Sequence, residues 1–397
     1  MTKLTSSITN STNESTIISD LVCFSHLRWN FVFQRPQHLL SRFAKVFRVF
    51  YVEEPMFHEL DDKLTITLTK EKVFVVVPYL KQGKQNQSID LRQETLLKNL
   101  FKTQGLNNYI FWYYTPMALS FTSTFNPEVV IYDCMDELSA FKFAPPSLKK
   151  NEAELFQKAD VVFTGGQSLY EAKKHSHHNI HPFPSSIDKE HFFKGRLKVS
   201  DPADQLKIPH PRIGFYGVVD ERMDIELIGK VAEMRPGWHL VIIGPVIKID
   251  PAILPKHSNI HYLGAKTYHE LPSYLGGWDI AIIPFALNES TRFISPTKTP
   301  EYLAAGKPVI STSIHDVVHP YGTNNLVHIA DSKTEFIDAA EKILNDADKN
   351  SWLTKVDEFL SDVSWNATWN KMKALIDEKV KEKQSFKQSK TKEKQYV

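Results

Sequence analysis

Residues 295–312 read SPTKTPEYLAAGKPVIST, and this stretch joins a loop, a helix and a strand. Pro296 belongs to the loop, and the residues Thr299–Ala305 favour a helix. Gly306 is a suitable C-cap for that helix, and the apolar run Pro308–Ser311 follows at once. The stretch therefore predicts a helix that leads into a buried strand of a parallel sheet, as in an α/β fold.

The same alternation of strands and helices extends along most of the chain. Short apolar runs predict strands at Leu21–Ser25, Val46–Val52, Val73–Pro78, Tyr109–Tyr113, Val129–Tyr132, Val161–Thr164, Arg212–Tyr216, His239–Ile243, Ile260–Leu263 and Ile280–Ile283. Helical patterns lie between many of them, at Pro36–Ala44, Pro146–Ala159, Ile225–Met234, Glu270–Leu275 and Thr334–Asn345. Several strands are continuous Val/Ile runs, which is typical of parallel sheets covered on both faces.

A proline-rich segment, Lys194–Pro211, interrupts the alternation and is predicted to be a linker. It divides the chain into two doubly wound halves. Sheets of this kind bind ligands at the carboxyl ends of their strands, so the two halves are expected to share an interdomain cleft.

The predicted domain boundaries follow from this division and from composition. Residues 1–18 form a polar, disordered tail, residues 19–205 the first domain and residues 206–363 the second. Residues 364–378 are predicted as a terminal helix, and residues 379–397 as a basic tail.

Composition excludes several classes of protein. The 397 residues are 42% hydrophobic and 24% charged, with a formal net charge of +2, so no nucleic-acid partner is predicted. The two cysteines, Cys23 and Cys134, lie in apolar runs and favour a reducing compartment over a disulfide scaffold. Neither a membrane span of roughly 18 apolar residues nor a signal peptide is evident. The sequence therefore predicts a cytoplasmic protein.

The basic tail allows two interpretations. Its lysines are Lys379, Lys381, Lys383, Lys387, Lys390, Lys392 and Lys394. A polybasic segment gains roughly 1 kcal/mol per lysine at an anionic lipid surface, which predicts peripheral contact with the inner face of the plasma membrane. A merely solubilising tail explains the same pattern equally well.

Two charged residues in the opening stretch suit a nucleotide. Lys298 lies at the predicted start of the helix, where the helix dipole already favours an anion such as a diphosphate. Glu301 lies one turn deeper on the same face and can accept hydrogen bonds from a ribose diol. An ordinary helix with a surface Lys and Glu explains the spacing as well.

The stretch resembles the donor-site motif of family 4 GT-B glycosyltransferases, in the variant Ser-Pro-x-Lys-x-x-Glu-Tyr-Leu-Ala-x-Gly-x-Pro-Val. The resemblance implies two Rossmann-like domains with an interdomain cleft. It also implies that Glu301 binds the ribose, that Lys298 faces the diphosphate and that Thr297 belongs to the donor site. The substrate would be a nucleoside-diphosphate sugar, UDP- or GDP-linked, with no cofactor.

Other positions extend the resemblance over the second half. Gly217 ends the first strand of this half as the family's glycine turn does, and Gly264 lies in a loop like those that flank the base. Arg222 takes the place of a diphosphate-binding cation, although a role as a solvated partner of Glu221 or Asp224 explains it too. Two family positions differ: Val218 replaces a common Arg, and Phe293 replaces a Glu that contacts the donor sugar.

The loop after the first strand predicts the acceptor side of the cleft. His26, Arg28 and Arg35 are expected to face the cleft, since functional residues concentrate in such loops. Phe31 and Phe33 are expected in the core. This stretch resembles the start of bacterial cell-wall and capsule glycosyltransferases.

Carboxylates follow the strand Val129–Tyr132 directly. Asp136 is the first candidate for a general base or acceptor contact, Asp133 is the second, and His26 completes the catalytic candidates. A helix N-cap is the alternative for one of the two aspartates. His175, His177, His178 and His181 suggest a metal site, but they lie on a predicted surface turn without a cluster of cysteines or carboxylates and are expected to be solvated. GT-B enzymes generally need no metal, so a metal-independent reaction is expected.

The sequence thus predicts a glycosyltransferase of the hexosyltransferase type. The resemblance implies retention of configuration and a role in surface polysaccharide and cell-envelope synthesis, with a glycan or lipid-linked acceptor. A nucleotide-sugar epimerase and a non-catalytic, transferase-like binding protein are the alternatives.

Overall fold

The computed structural model describes residues 18–83, 87–197, 200–346 and 348–395, with side chains to residue 389. The predicted disordered tail, residues 1–18, lies outside the described residues except for Ile18.

The first domain is built on a nine-stranded sheet within the described residues. Its strands are β1 Asp20–Ser25, β2 Arg48–Glu53, β3 Met56–His58, β4 Lys63–Leu68, β5 Val73–Lys81, β6 Tyr109–Tyr113, β7 Val129–Cys134, β8 Val161–Thr164 and β9 Ile180–Pro182. Their spatial order is β3-β5-β2-β1-β6-β7-β8-β9, all parallel, and β4 pairs with β5 in the antiparallel sense. The helices of this half are α1 Arg35–Phe43, α2 Ile89–Gln104, α3 Leu119–Thr122, α4 Leu148–Lys158, α5 Gln167–Lys173 and α6 Lys189–Phe193.

The second domain is built on a six-stranded parallel sheet of order β12-β11-β10-β13-β14-β15 in the described part of the chain. Its strands are β10 Arg212–Tyr216, β11 His239–Ile243, β12 Ile260–Tyr262, β13 Ile280–Ile283, β14 Val309–Ser311 and β15 Val327–Ile329. The remaining helices are α7 Ile225–Met234, α8 Leu271–Gly276, α9 Lys298–Ala304, α10 His315–Val317, α11 Lys333–Asn345, α12 Lys349–Phe359 and α13 Trp365–Gln395.

The predicted α/β fold, with two doubly wound parallel sheets facing a cleft, is confirmed. Strands predicted from continuous apolar runs are present because both faces of each sheet are covered; β10, for example, is buried throughout. The strand β4 has no such signal, since most of its side chains are exposed at the edge of the sheet.

The core of the second domain includes residues that precede the predicted boundary at 206. Ile187 and Phe192 are fully buried in the same hydrophobic cluster as Leu275. The segment that contains α6 therefore packs with the second domain, although the sequence places it in the first.

The long helix α13 returns to the first domain. Its residues Trp365, Met372 and Ile376 are buried in the cluster that contains Leu21 and Leu40. The helix continues to Gln395, through the segment predicted as a basic tail. No helix of the described chain is both long enough and apolar enough to span a bilayer.

Candidate functional site

Loops at the carboxyl ends of both sheets enclose two adjoining cavities between the domains. The larger measures about 410 Å³ and is lined by His26, Asp136, Arg222 and Lys248 among others. The smaller measures about 110 Å³, and Asp136, Arg222 and Lys298 contribute to its wall. Asp136 from the first domain and Arg222 from the second line both cavities, so the two halves of the predicted site do meet.

Lys298 begins α9 and lies flat against the glycine turn after β10. A Cβ atom on Gly217 would come within 2.3 Å of Lys298 Cε, and Gly217 has a φ of +144°, which favours glycine. Burial lowers the pKa of Lys298, and the charge of Arg222 lowers it further. No carboxylate of the described chain comes within 4.0 Å of its ammonium group. The wall of the smaller cavity thus contains a cation that has no ion-pair partner, next to the predicted donor residue Thr297.

Glu301 is only 6% exposed and is oriented by a tyrosine that the sequence motif does not include. The Tyr216 hydroxyl donates a short hydrogen bond to Glu301 Oε2, and the backbone N–H of Tyr216 donates to the Tyr302 hydroxyl at 3.0 Å. Burial raises the pKa of Glu301, while the Tyr216 hydrogen bond and Lys298 oppose that shift. The carboxylate is therefore held by β10 at a fixed place one turn below Lys298.

Arg222 is paired, but not with the residues first considered for it. Its Nε and an Nη atom donate to the two carboxylate oxygens of Asp220 at 2.9 and 2.8 Å. Asp224 instead caps α7 by accepting from the Leu227 backbone N–H at 2.9 Å. Because Arg222 still lines both cavities, its remaining N–H groups can reach a phosphate.

Asp136 lines both cavities and has a raised pKa. Burial raises its pKa to about 6, against the opposing charges of Arg222 and Arg35. The alternative of a helix cap finds no support, because the short helical turn that follows is preceded by Glu137, which makes no side-chain cap, and α4 is preceded by Ser147. A carboxyl group with this pKa exchanges protons near neutral pH.

Arg35 lines the smaller cavity, in keeping with its predicted place at the cleft, but it forms an ion pair with Asp133, which lines neither cavity. Arg35 Nε and Nη atoms donate to the two oxygens of Asp133 at 3.0 and 2.8 Å, and both side chains are buried. A further Arg35 N–H donates to the Phe183 carbonyl at 2.7 Å. The guanidinium group of Arg35 is thus hydrogen-bonded within the first domain, and Asp133 is buried away from the cleft. The pair supports the loop that carries Asp136.

Ion pairs of Lys173 anchor the other side of that loop, and no local sequence signal predicts them. Lys173, at the end of α5, donates to Glu137 at 2.7 Å and to Glu152 at 2.8 Å. The start of the same helix is capped by Asp316 of the second domain, which accepts from the backbone N–H groups of Gln167 and Ser168 at 2.9 Å each. Helix α5 therefore connects the second domain to the loop beside Asp136.

Of the remaining residues predicted to face the cleft from the first domain, His26 lines a cavity and Arg28 does not. His26 lines the larger cavity, and burial together with the charge of Lys248 lowers its pKa to about 4, so its ring is neutral at pH 7. Arg28 does not line either cavity, because its guanidinium donates to Glu53 at 2.9 Å and to the Glu54 carbonyl at 2.6 Å.

The predicted core positions of two phenylalanines are wrong. Phe31 is 50% exposed and lines the larger cavity. Phe33 is 36% exposed, and its ring lies 4.7 Å from that of Tyr268 in the second domain. Both belong to the cleft loop after β1, where alternating aromatic residues contact the cleft and the other domain instead of the sheet.

The remaining positions predicted for the donor site are Gly264 and the position of Phe293. Gly264 has a φ of +70° with free space beside it, and its carbonyl accepts from the Gly244 N–H at 2.9 Å. Phe293 packs against the core of the first domain, and Glu289 is exposed and lies 3.7 Å from Arg292. No group of three or more His, Cys, Asp or Glu residues in the described ranges is arranged to hold a metal ion.

Sequence comparisons agree with this geometry. Residues 210–346 match the family described as Glycosyl transferases group 1. Over 252 residues the chain is 25% identical to TuaH of Bacillus subtilis (strain 168), whose name assigns it as a glycosyltransferase of teichuronic acid biosynthesis. The match covers 59% of this chain and spans 63% of the length of that relative.

Solved structures extend the likeness to the whole fold. The structure described as "Trehalose-6-phosphate from E. coli bound with UDP-2-fluoro glucose" has a TM-score of 0.67 at 12% identity, over 91% of this chain and 99% of its own. Anabaena HepE in complex with UDP has a TM-score of 0.64 at 12% identity, over 91% and 100%. Residues 210–346 therefore match a Glycosyl transferases group 1 domain, and the chain as a whole has the GT-B fold.

Proposed function

We propose that this protein is a glycosyltransferase that moves a sugar from a nucleoside-diphosphate sugar to a glycan or lipid-linked acceptor in surface polysaccharide synthesis. One observation carries this assignment: Lys298, a cation with no ion-pair partner among the described residues, lines the same small cavity as Asp136 of the other domain. The match of residues 210–346 and the likeness to TuaH support the same class of reaction and the polysaccharide role.

The second domain would hold the donor. Lys298 and Arg222 would bind the diphosphate, since they are the cations of the smaller cavity that lie on that domain. Glu301, oriented by Tyr216, would accept hydrogen bonds from the ribose diol. A UDP-linked donor is favoured over a GDP-linked one, because the structural relatives include proteins solved with UDP and with UDP-2-fluoro glucose.

The chemistry needs charge stabilisation on one domain and proton acceptance on the other. The bond between the anomeric carbon and the diphosphate oxygen breaks, and negative charge develops on the diphosphate beside Lys298 and Arg222. The acceptor oxygen forms the new bond to the anomeric carbon, and its proton passes to the Asp136 carboxylate. The neutral ring of His26 would orient a sugar hydroxyl in the larger cavity.

Two finer properties belong to this proposal. We expect retention of the anomeric configuration and a reaction that proceeds without a bound metal. Activity should therefore persist in EDTA, and NMR of the product should show the anomeric configuration of the donor. Loss of activity in EDTA that Mn²⁺ restores, or an inverted product, would refute the respective property.

Peripheral contact with the inner face of the plasma membrane, and a cytoplasmic location, remain part of the proposal. Within α13, Lys383 lies 2.7 Å from Asp160 and Lys387 lies 2.6 Å from Glu128, so these lysines are already paired with the first domain. We expect weak, salt-sensitive sedimentation with anionic liposomes that is lost when the chain ends at Glu378. Equal sedimentation of the two proteins would exclude this contact.

The function is tested by incubating the full chain with UDP-glucose, UDP-N-acetylglucosamine and GDP-mannose and measuring release of the nucleoside diphosphate, with and without added glycans. The expected result is slow donor hydrolysis that an acceptor accelerates and that Asp136→Asn removes. Rearrangement of the sugar without any acceptor would indicate an epimerase. Nucleotide binding without turnover of any donor would indicate a binding protein.

A further inference from the structure

The larger cavity contains features that the donor does not explain. We define the cleft mouth as Phe31, Lys142 and Phe143 of the first domain with Lys248 of the second, all of which line this cavity. None of the four lines the smaller cavity that contains Lys298. The cleft mouth therefore lies outside the smaller cavity, and Arg222 and Asp136 line the larger cavity beside it.

The aromatic rings of the cleft mouth are exposed to solvent instead of buried in a core. Phe143 is 78% exposed and has a φ of +74°, a conformation that is rare for a bulky residue. Phe31 is 50% exposed. Exposed aromatics and strained backbone both cost stability, and such features occur where a ligand is bound. The face of an aromatic ring attracts the positively polarised C–H bonds of a pyranose, so two such rings suit a sugar.

The lysines of the cleft mouth are not neutralised. Lys142 Nζ lies 5.3 Å from the centroid of the Phe143 ring, and Lys248 Nζ lies 5.2 Å from that of Phe141. Among the residues that the structure describes, neither lysine has a carboxylate within 4.0 Å of its ammonium group. Arg28 of the first domain, in contrast, is paired with a glutamate. Two unpaired cations on a partly enclosed surface attract an anion.

The neighbouring cavity determines which way such a ligand would lie. It measures about 490 Å³, and Glu53, Glu54 and Asp90 line it among apolar side chains such as Phe57 and Ile89. No lysine or arginine of the described chain lines it, and Glu54 also lines the larger cavity. Because Glu53 is paired with Arg28, the repulsion of an anionic group from this neighbouring cavity comes from Glu54 and Asp90, and the group is held at the cleft mouth. Only an uncharged part of the ligand suits the acidic side.

We propose that the cleft mouth selects an acceptor pyranoside that carries a carboxylate or a phosphate on the ring that receives the sugar. Phe31 and Phe143 bind the faces of the ring, and Lys142 and Lys248 bind its anionic substituent. The acceptor hydroxyl then lies next to Asp136. This assignment rests on the proposed function and goes beyond it, because it names the acceptor's chemistry and the residues that read it.

The test measures binding of methyl β-D-glucoside, methyl β-D-glucuronide and methyl β-D-glucoside 6-phosphate to the full chain saturated with UDP, by ligand-observed NMR. We expect at least one anionic probe to bind about tenfold more tightly than the neutral probe, with a preference that falls in high salt. The carboxylate and phosphate arms show which anion is preferred. Lys142→Ala and Lys248→Ala should each reduce the preference about threefold.

Two variants separate the ring contact from the charge contact. Phe143→Ala should weaken all three probes about equally, while Lys102→Ala, on the exposed face of α2, should change none. Equal binding of neutral and anionic probes, no binding of any probe, or a preference that persists in the Lys142→Ala/Lys248→Ala double variant would overturn the proposal. If UDP itself does not bind, the donor site is wrong; if UDP binds and the preference is absent, only the acceptor assignment is wrong.

Discussion

Two arginines of the first domain differ from Lys298 of the second in their partners, although Arg222 of the second domain is itself paired with Asp220. Arg28 and Arg35 are both paired with carboxylates of the first domain, Glu53 and Asp133, and Arg35 lines the smaller cavity. On the second-domain face, Lys298 has no such partner among the described residues. The paired arginines stabilise the loops, whereas the unpaired ammonium group of Lys298 is available to a ligand. Under the proposed function, the affinity for an anionic donor would lie on the second domain and the reactive carboxylate on the first.

The largest expected effect concerns Asp136. Asp136→Asn retains the shape of the side chain but cannot accept a proton. The rate of sugar transfer from the nucleoside-diphosphate sugar should therefore fall by a factor of about 10²–10⁴. The rate of the wild type should rise with pH through about 6, because the deprotonated form is required and burial raises the pKa to that value.

Steady-state release of the nucleoside diphosphate, measured from pH 5 to 8, checks this prediction. Asp338→Asn on the exposed side of α11 is the matched control and should not change the rate. A wild-type rate in Asp136→Asn would show that the carboxylate does not take part.

The next effect should appear in stability instead of activity. Arg35→Ala leaves the Asp133 carboxylate buried and unpaired, so the free energy of unfolding should fall by about 3–5 kcal/mol. In the double variant Arg35→Met/Asp133→Leu most of the loss should be recovered, because no isolated charge remains. Urea unfolding measures both. A variant Arg35→Ala as stable as the wild type would mean that the pair does not support the loop.

The contrast between Arg35 and Lys298 also shows which features of the site could be predicted from the sequence. The strands with continuous apolar runs and the site helix α9 were predictable, because apolar runs and the glycine after the helix are local signals, whereas β3, β4, β9 and β15 were not predicted. The partners were not predictable: Arg35 meets Asp133 across 98 residues, and Asp316 meets Gln167 across 149. Whether a charge is free or paired depends on such long-range contacts, so the sequence could not separate Arg35 from Lys298.

Asp136 should lower the stability of the wild type at neutral pH. Its pKa is raised by burial from 3.8 to about 6, so the folded state favours the protonated form. Below the unfolded pKa this has no cost, and above about pH 6 the cost is complete. Asp136→Asn should therefore be more stable than the wild type by up to about 3 kcal/mol at pH 8, and the gap should close as the pH falls towards 4.

Urea unfolding of the two proteins at pH 8, 6 and 4 measures this gap. A constant difference across the three values would mean that the carboxylate does not titrate differently in the folded state.

A smaller effect is expected where the two domains touch at α5. A Cβ atom on Gly166 would lie 2.1 Å from Asp316 Oδ2 and 2.7 Å from Ser295 Cβ, so Gly166→Ala must displace the second domain or the helix. We expect a loss of about 1–3 kcal/mol in stability and faster amide exchange in the loop at Asp136. Gly237→Ala is the matched control, because a Cβ atom there has free space. Similar behaviour of the two variants would contradict a tight contact at Gly166.

Calorimetric titration of UDP and of uridine into the wild type and into Lys298→Ala tests the central claim most directly. Because the free ammonium group would bind the diphosphate, UDP should bind about 10–100-fold more weakly to Lys298→Ala, while uridine binds both proteins equally. UDP affinity should stay at the wild-type value in Arg35→Met/Asp133→Leu. Unchanged UDP affinity in Lys298→Ala, or its loss in the first-domain double variant, would contradict the division of the cleft into a donor face and a reactive face.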